Sequence, residues 1–207
     1  MLKPVDPVQA ATDTGWLALA LEWLAGIGPG AWAVLAVAAV LVLWMVGAYN
    51  RLMALRNQAI GAWQPALAGA RQRHAAFDPL LTAMREPLAA EHRALDQWLA
   101  HQTEAARTLE AMAAQPLDAV AAAAWVAAEA QLAPSSSRVF ALLDSHLELR
   151  NRPDVKAAFD SWQQANAQIG FGRQLFNTAA EDHDRALLQW PTRLLMRVFP
   201  FRPMGRL

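Results

Sequence analysis

The first strong pattern along the chain is a gap in charge: nothing between Glu22 and Arg51 is ionised. Within that gap, residues 31–49 read AWAVLAVAAVLVLWMVGAY, with nothing more polar than Tyr49. At 1.5 Å of rise per residue such a helix reaches roughly 28 Å, close to the ~30 Å hydrocarbon thickness of a bilayer. Trp32 stands at one end and Trp44 and Tyr49 near the other, where interfacial aromatics belong. A buried core helix would need apolar protein on every side, which the polar segments that follow do not offer. Val46-Gly47-Ala48 loosely fits a signal-peptide cleavage site. Signal peptides, however, have a short basic leader, and this long one carries Lys3 against Asp6, Asp13 and Glu22. The pattern therefore predicts an uncleaved transmembrane helix over residues 31–49. Ahead of it, residues 1–30 form an N-terminal segment. Residues 15–27 in that segment are apolar but too short to cross, and fit an interfacial helix ended by Gly28-Pro29-Gly30.

After the span the pattern becomes helical. Residues 50–191 are rich in Ala, Leu, Gln, Glu and Arg, with few β-branched residues and no strand-like alternation. Proline punctuation predicts helices over 49–76, 79–114, 117–150 and 154–190. Asp78-Pro79 and Arg152-Pro153-Asp154 read as helix starts, and Gln115-Pro116 as a turn. Pro134 with Ser135-Ser136-Ser137 reads as an interruption, and Pro65 and Pro87 as kinks. Stepping by three and four from Phe159 gives Trp162, Asn166, Ile169, Arg173, Phe176, Ala180, His183, Leu187 and Trp190. A second seam runs Leu81, Met84, Leu88, Glu91, Leu95, Trp98, Gln102, Ala105, Leu109 and Met112. Seams of this length predict coiled-coil-like packing. The expected fold is all-α: the transmembrane helix continues into an elongated antiparallel bundle of about four long helices. In such a bundle the fourth helix returns to the membrane. The closing segment 192–207, TRLLMRVFPFRPMGRL, is acid-free and amphipathic, and Arg193, Arg197, Arg202 and Arg206 are its candidate membrane-surface contacts.

Charge then sets orientation and removes several function classes. The chain has 18 basic and 18 acidic residues; of the basic ones Lys3 alone precedes the span, whereas Arg51, Arg56, Arg71 and Arg73 follow it closely. The positive-inside rule places the N-terminus outside and the bundle in the cytoplasm. The formal net charge of zero argues against a nucleic-acid binder. The absence of cysteine excludes disulfides, thiolate metal ligands and a thiol nucleophile.

The five histidines, His74, His92, His101, His146 and His183, form no H-E-x-x-H pair, and none has a glutamate three residues before it, as di-iron bundles require. Residues 181–185, EDHDR, point around most of a helix circumference and read as a solvated face with His183 turned inward. Ser135-Ser136-Ser137 lacks a nucleophile elbow. Gly170-Phe171-Gly172 follows no strand, so its glycines suit close helix approach or flexibility rather than a dinucleotide. Glu91, Gln102, Asn166 and Arg173 are read as polar groups that pair across the core and fix register. No cofactor, metal or small-molecule substrate is indicated.

Specific residues carry a family resemblance. Tyr49-Asn50-Arg51-Leu52, Leu55-Arg56-Asn57 and Ala62-Trp63 resemble the opening signature of the LemA family, bacterial proteins with one N-terminal span and a helical domain. Pro79-Leu80 falls where that family starts its second helix. Arg173, Phe176-Asn177, His183-Asp184 and Trp190-Pro191 sit at the spacing of its C-terminal motifs. The likeness covers roughly residues 49–203 and is strong at both ends. It departs at Asn166, where the family tends to carry glutamate, and at Phe176-Asn177 and His183-Asp184, which replace tyrosine-asparagine pairs. The resemblance implies a membrane-anchored helical bundle in the bacterial cytoplasmic membrane, with no reaction or ligand attached. It marks Tyr49, Asn50, Arg56, Asn57, Trp63, Asn166, Arg173, Asn177 and His183 as motif or polar-core positions. The expected function is a noncatalytic scaffold or accessory factor that recruits a protein partner or self-associates. The alternative is a metal-binding or enzymatic bundle using its polar core.

Overall fold

A computed structural model describes residues 28–189 and 203–207 of the chain. No strand occurs among them, and the helices are α1 (Pro29–Arg85), α2 (His92–Ala114), α3 (Ala119–Ser145), the single turn α4 (Leu147–Arg150) and α5 (Pro153–Leu188). The chain divides into two compact units, Met1–Ala48 and Tyr49–Leu207.

In the first unit α1 carries a run of bare apolar side chains. Val40, Leu41, Val42 and Leu43 are successive residues, enough for a full turn, and all four are more than half exposed. By length and composition α1 is apolar enough to cross a membrane.

The second unit is a bundle whose direction follows from its cross-contacts. Gln72 bonds Ser161, while Gly69 approaches Ala165 and Gly172 approaches Ala66, so α1 and α5 run antiparallel. Arg71 pairs with Glu110 and Phe77 stacks against Trp98, so α1 and α2 also run antiparallel. Trp125 meets Arg173 and Phe140 meets Phe159, which makes α3 and α5 antiparallel as well. This is the up-and-down arrangement that the seams and short connections predict. Each long helix contributes one fully buried tryptophan: Trp63, Trp98, Trp125 and Trp162.

Two predicted breaks are absent. Helix α1 runs through Pro79 and ends at Arg85. A proline inside a helix costs about 3 kcal/mol. Continuing past it buries Leu80, Leu81 and Met84, at about 1.5–3 kcal/mol each, so burial wins. The turn instead falls at Pro87, which therefore lies outside any helix, with a 3₁₀ turn over Ala89–Glu91. Glu91, expected on the second core seam, is exposed in that turn. Helix α3 likewise passes Pro134, because Leu132, Ser136, Val139 and Leu143 keep its buried face continuous. Ser135, Ser136 and Ser137 are in mid-helix, their hydroxyls bonded to carbonyls three or four residues back, rather than in a loop. The remaining boundaries follow the expected chemistry. Asp118 caps α3 by accepting from the Ala121 amide, and Pro153 opens α5 behind Arg152. Pro65 lies inside α1 as expected.

The close approach of α1 and α5 sets the phase of the core. A Cβ placed on Gly172 would lie 2.3 Å from the Ala66 nitrogen, and one on Gly69 would lie 2.9 Å from the Ala165 oxygen. Small residues therefore occupy this contact, and the buried row of α5 is Trp162, Ala165, Ile169, Gly172, Phe176, Ala179 and His183. Gly170, two residues before Gly172, has nothing within 4 Å of its missing side chain. Gly172→Ala is expected to destabilise the bundle by about 1–3 kcal/mol through overpacking. Gly170→Ala is expected to stabilise it by up to about 1 kcal/mol through helix propensity. Denaturant unfolding followed by circular dichroism checks both, and the opposite sign for either would contradict this packing.

Candidate functional site

The bundle core is divided. Along α1 a buried row steps through Ala59, Trp63, Ala66, Ala70, Arg73, Phe77, Leu80 and Met84. Along α3 a second row steps through Ala122, Trp125, Glu129, Leu132, Ser136, Val139 and Leu143. Each row is interrupted once by charge, and the two charges meet. Arg73 Nη1 donates to Glu129 Oε2 at 2.8 Å and Nη2 donates to Oε1, a two-pronged pair with Arg73 only 5% exposed and Glu129 9%. Nη1 also donates to Asn166 Oδ1 at 3.2 Å, and the guanidinium lies 5.5 Å from the Trp162 ring centre. One apolar cluster has its buried aromatic residues, Phe77, Trp98 and Trp162, on one side of this pair. The other, with Trp63, Trp125 and Phe176, is built from residues on the other side. Trp98 Nε1 donates to Ser136 Oγ at 2.9 Å, and Gln102 bonds His74 at 3.2 Å.

A second polar centre holds the end of the chain. Asn177 clamps Leu207 from both sides, its Oδ1 accepting from the Leu207 amide at 2.8 Å and its Nδ2 donating to the Leu207 oxygen at 2.7 Å. Asp184 accepts from the Met204 amide at 3.0 Å and from Arg206 Nη2 at 2.9 Å. Met204 and Leu207 are buried in the second apolar cluster. Gly205 lies so close to α3 that a Cβ there would be 2.7 Å from that of Ala122. His183, buried beside this segment, has Nδ1 3.2 Å from Asp184 Oδ1.

The motif residues thus separate. Trp63 and His183 are core, Trp63 making an edge contact 5.1 Å from Trp125. Asn177 is half-buried and engaged with the chain end. Tyr49, 36% exposed, is the first residue of the second unit. Asn50, Arg56 and Asn57 are exposed, not core. Arg56 and His183 nevertheless line one cavity of about 450 Å³ with Asp118 and Met204. Asn166 and Arg173, expected to pair across the core, stand at its edge. Asn166 is exposed and Arg173 half-buried, with its guanidinium 5.8 Å from the Trp125 ring centre. The close α1–α5 contact places Ala165 and Gly172 at the positions that stepping from Phe159 assigned to Asn166 and Arg173. Arg206, with its side chain still 44% exposed, pairs with Asp184. Arg193, Arg197, Arg202 and Trp190 lie outside the described residues, as does the segment 15–27.

Arg73 and Glu129 were absent from the sequence-derived set. Their signal was available: a lone arginine and a lone glutamate, each in an otherwise apolar or hydroxyl-bearing heptad row. Chemically this centre pairs its charges internally. Among the described residues no group of three His, Asp or Glu side chains could hold a metal ion. The carboxyls of Glu104 and Asp154 are held below their ordinary range, chiefly by hydrogen bonds from Arg107 and Arg152, on exposed surface away from both centres.

The LemA family model matches residues 62–207. The chain matches no curated protein.

Removing one member of the buried pair strands the other. Arg73→Met is expected to cost about 3–5 kcal/mol, and adding Glu129→Leu to recover most of it. Unfolding of the single and double variants checks this; a double variant no better than the single one would contradict it. Asp184→Ala is expected to speed hydrogen exchange at the Met204 amide by at least about tenfold, since its acceptor is lost. Amide-resolved exchange measures it.

Proposed function

The chain belongs to the LemA family, and from that premise we propose that it is a membrane-anchored, noncatalytic scaffold or accessory factor of the bacterial envelope. The LemA family is not a known enzyme family. The observation that carries the proposal is the exposed apolar run of α1. Val34, Val37, Val40 and Leu43 are each at least 60% exposed in an uncharged stretch long enough for a bilayer. Water would oppose such a surface, whereas lipid matches it.

In this reading residues 31–49 span the cytoplasmic membrane with the N-terminus outside. The orientation follows from Arg51 and Arg56, both exposed, against Lys3 alone on the other side. The bundle is then a cytoplasmic platform that recruits a protein partner or a second copy. Arg193, Arg197 and Arg202 contribute contact with anionic lipid. A noncatalytic role agrees with the polar centres, whose charges are paired with one another or with the chain end.

Crosslinking in the native membrane tests the platform: a reproducible protein partner or self-crosslink is expected, and none under any growth condition counts against it. The anchor has its own test. Leu41→Arg with Val42→Arg adds about 2.5–3.5 kcal/mol per residue to insertion, so the variant is expected to leave the membrane fraction. Retention of the doubly charged variant after alkaline extraction would refute the span.

A further inference from the structure

A groove of about 450 Å³ lies between α3 and α5, against the buried Arg73–Glu129 pair. Its apolar wall includes Phe140, Trp162 and Ile169, and Asn166 and Arg173 stand on its polar side. Two side chains that line this groove, Asn166 and Arg173, keep donors to spare, and its carboxylate and hydroxyl groups are already engaged within the bundle. Both Glu129 oxygens accept from Arg73. Ser136 and Ser137 donate their hydroxyl protons to the Leu132 and Ala133 carbonyls. The Asn166 oxygen accepts from Arg73, an assignment forced because a guanidinium can only donate, and this leaves the amide nitrogen as a donor. Among the described residues no carboxylate pairs with Arg173, whose guanidinium lies over the Trp125 ring. The charges that line the groove are two guanidiniums and one carboxylate, so one positive charge is unbalanced.

An unpaired guanidinium, the amide nitrogen of Asn166 and aromatic walls are the chemistry of a receptor for an anion with an apolar body. We propose that this groove binds a small organic carboxylate, its charge held by Arg173 and Asn166 and its body packed on Phe140 and Trp162. A carboxylate suits the planar, two-pronged donor set of arginine, and the volume is that of a small-molecule pocket. The site is separate from the membrane anchor, so it stands or falls independently of the scaffold reading.

The probe is 4-fluorobenzoate, followed by the ¹⁹F line width as it is titrated into the full chain in detergent. Saturable broadening is expected, reversed by benzoate but not by equal concentrations of benzamide, acetate or inorganic phosphate. Arg173→Gln is expected to weaken binding at least about tenfold, as loss of a charge-assisted contact does. Arg173→Lys retains the charge without the fork and is expected to fall between Arg173→Gln and the unaltered chain. Asn166→Glu brings a carboxylate into the groove as an internal competitor and is expected to abolish binding while helicity and unfolding midpoint are kept; Asn166 is exposed, so this variant tests the site even if Arg173→Gln fails to fold. Four results would each overturn the proposal: no saturable broadening, benzamide competing as well as benzoate, acetate or phosphate displacing the probe equally, or undiminished binding in a folded Arg173→Gln or Asn166→Glu variant.

Discussion

The Arg73–Glu129 pair is the interaction on which the arrangement of the bundle turns. Each ion has left water, a loss worth several kcal/mol, and each recovers it only by meeting the other in two-pronged geometry. That requirement couples α1 to α3 at one register. A slip of one heptad would keep apolar rows against apolar rows, but it would leave two buried charges apart. Hydrophobic rows alone discriminate weakly between such registers, whereas an unpaired buried charge discriminates strongly. Because Asn166 also accepts from Arg73, α5 is tied to the same layer.

A second constraint is steric. The missing side chains of Gly69 and Gly172 let α1 and α5 approach until backbone and Cβ atoms of one touch the other. Helices packed on small residues present a different stripe from helices packed on large ones. Here the stripe turns toward Ala165, Gly172 and Ala179, and Asn166 and Arg173 rotate out to the groove. The polar layer and the groove are thus consequences of the same packing: one buries a balanced pair, and the other is left with an unbalanced guanidinium.

Much of the architecture was legible in residue patterns. The uncharged stretch, the heptad row of α2, the Pro153 helix start and the turn near Pro116 each rest on local chemistry that tertiary contacts do not reverse. Pro79 and Pro134 misled because local rules treat proline as a boundary, while burial of Leu80, Leu81 and Met84 on one side and of Val139 and Leu143 on the other outweighs the lost bond. The polar centre was half legible. Asn177 and His183 stood out, but their shared environment includes Asp184 and residues 203–207, more than 15 positions further on.

By itself the sequence determined the helical class, the apolar segment and the family, because periodicity, hydropathy and motif spacing are properties of neighbouring residues. Only the tertiary structure decided which charges are buried together, which glycine is a contact and which is open, and where Asn166 and Arg173 face. Those outcomes depend on the rotation of each helix about its own axis. That rotation is chosen by the closest fit between helices distant in sequence, to which no single helix holds the answer.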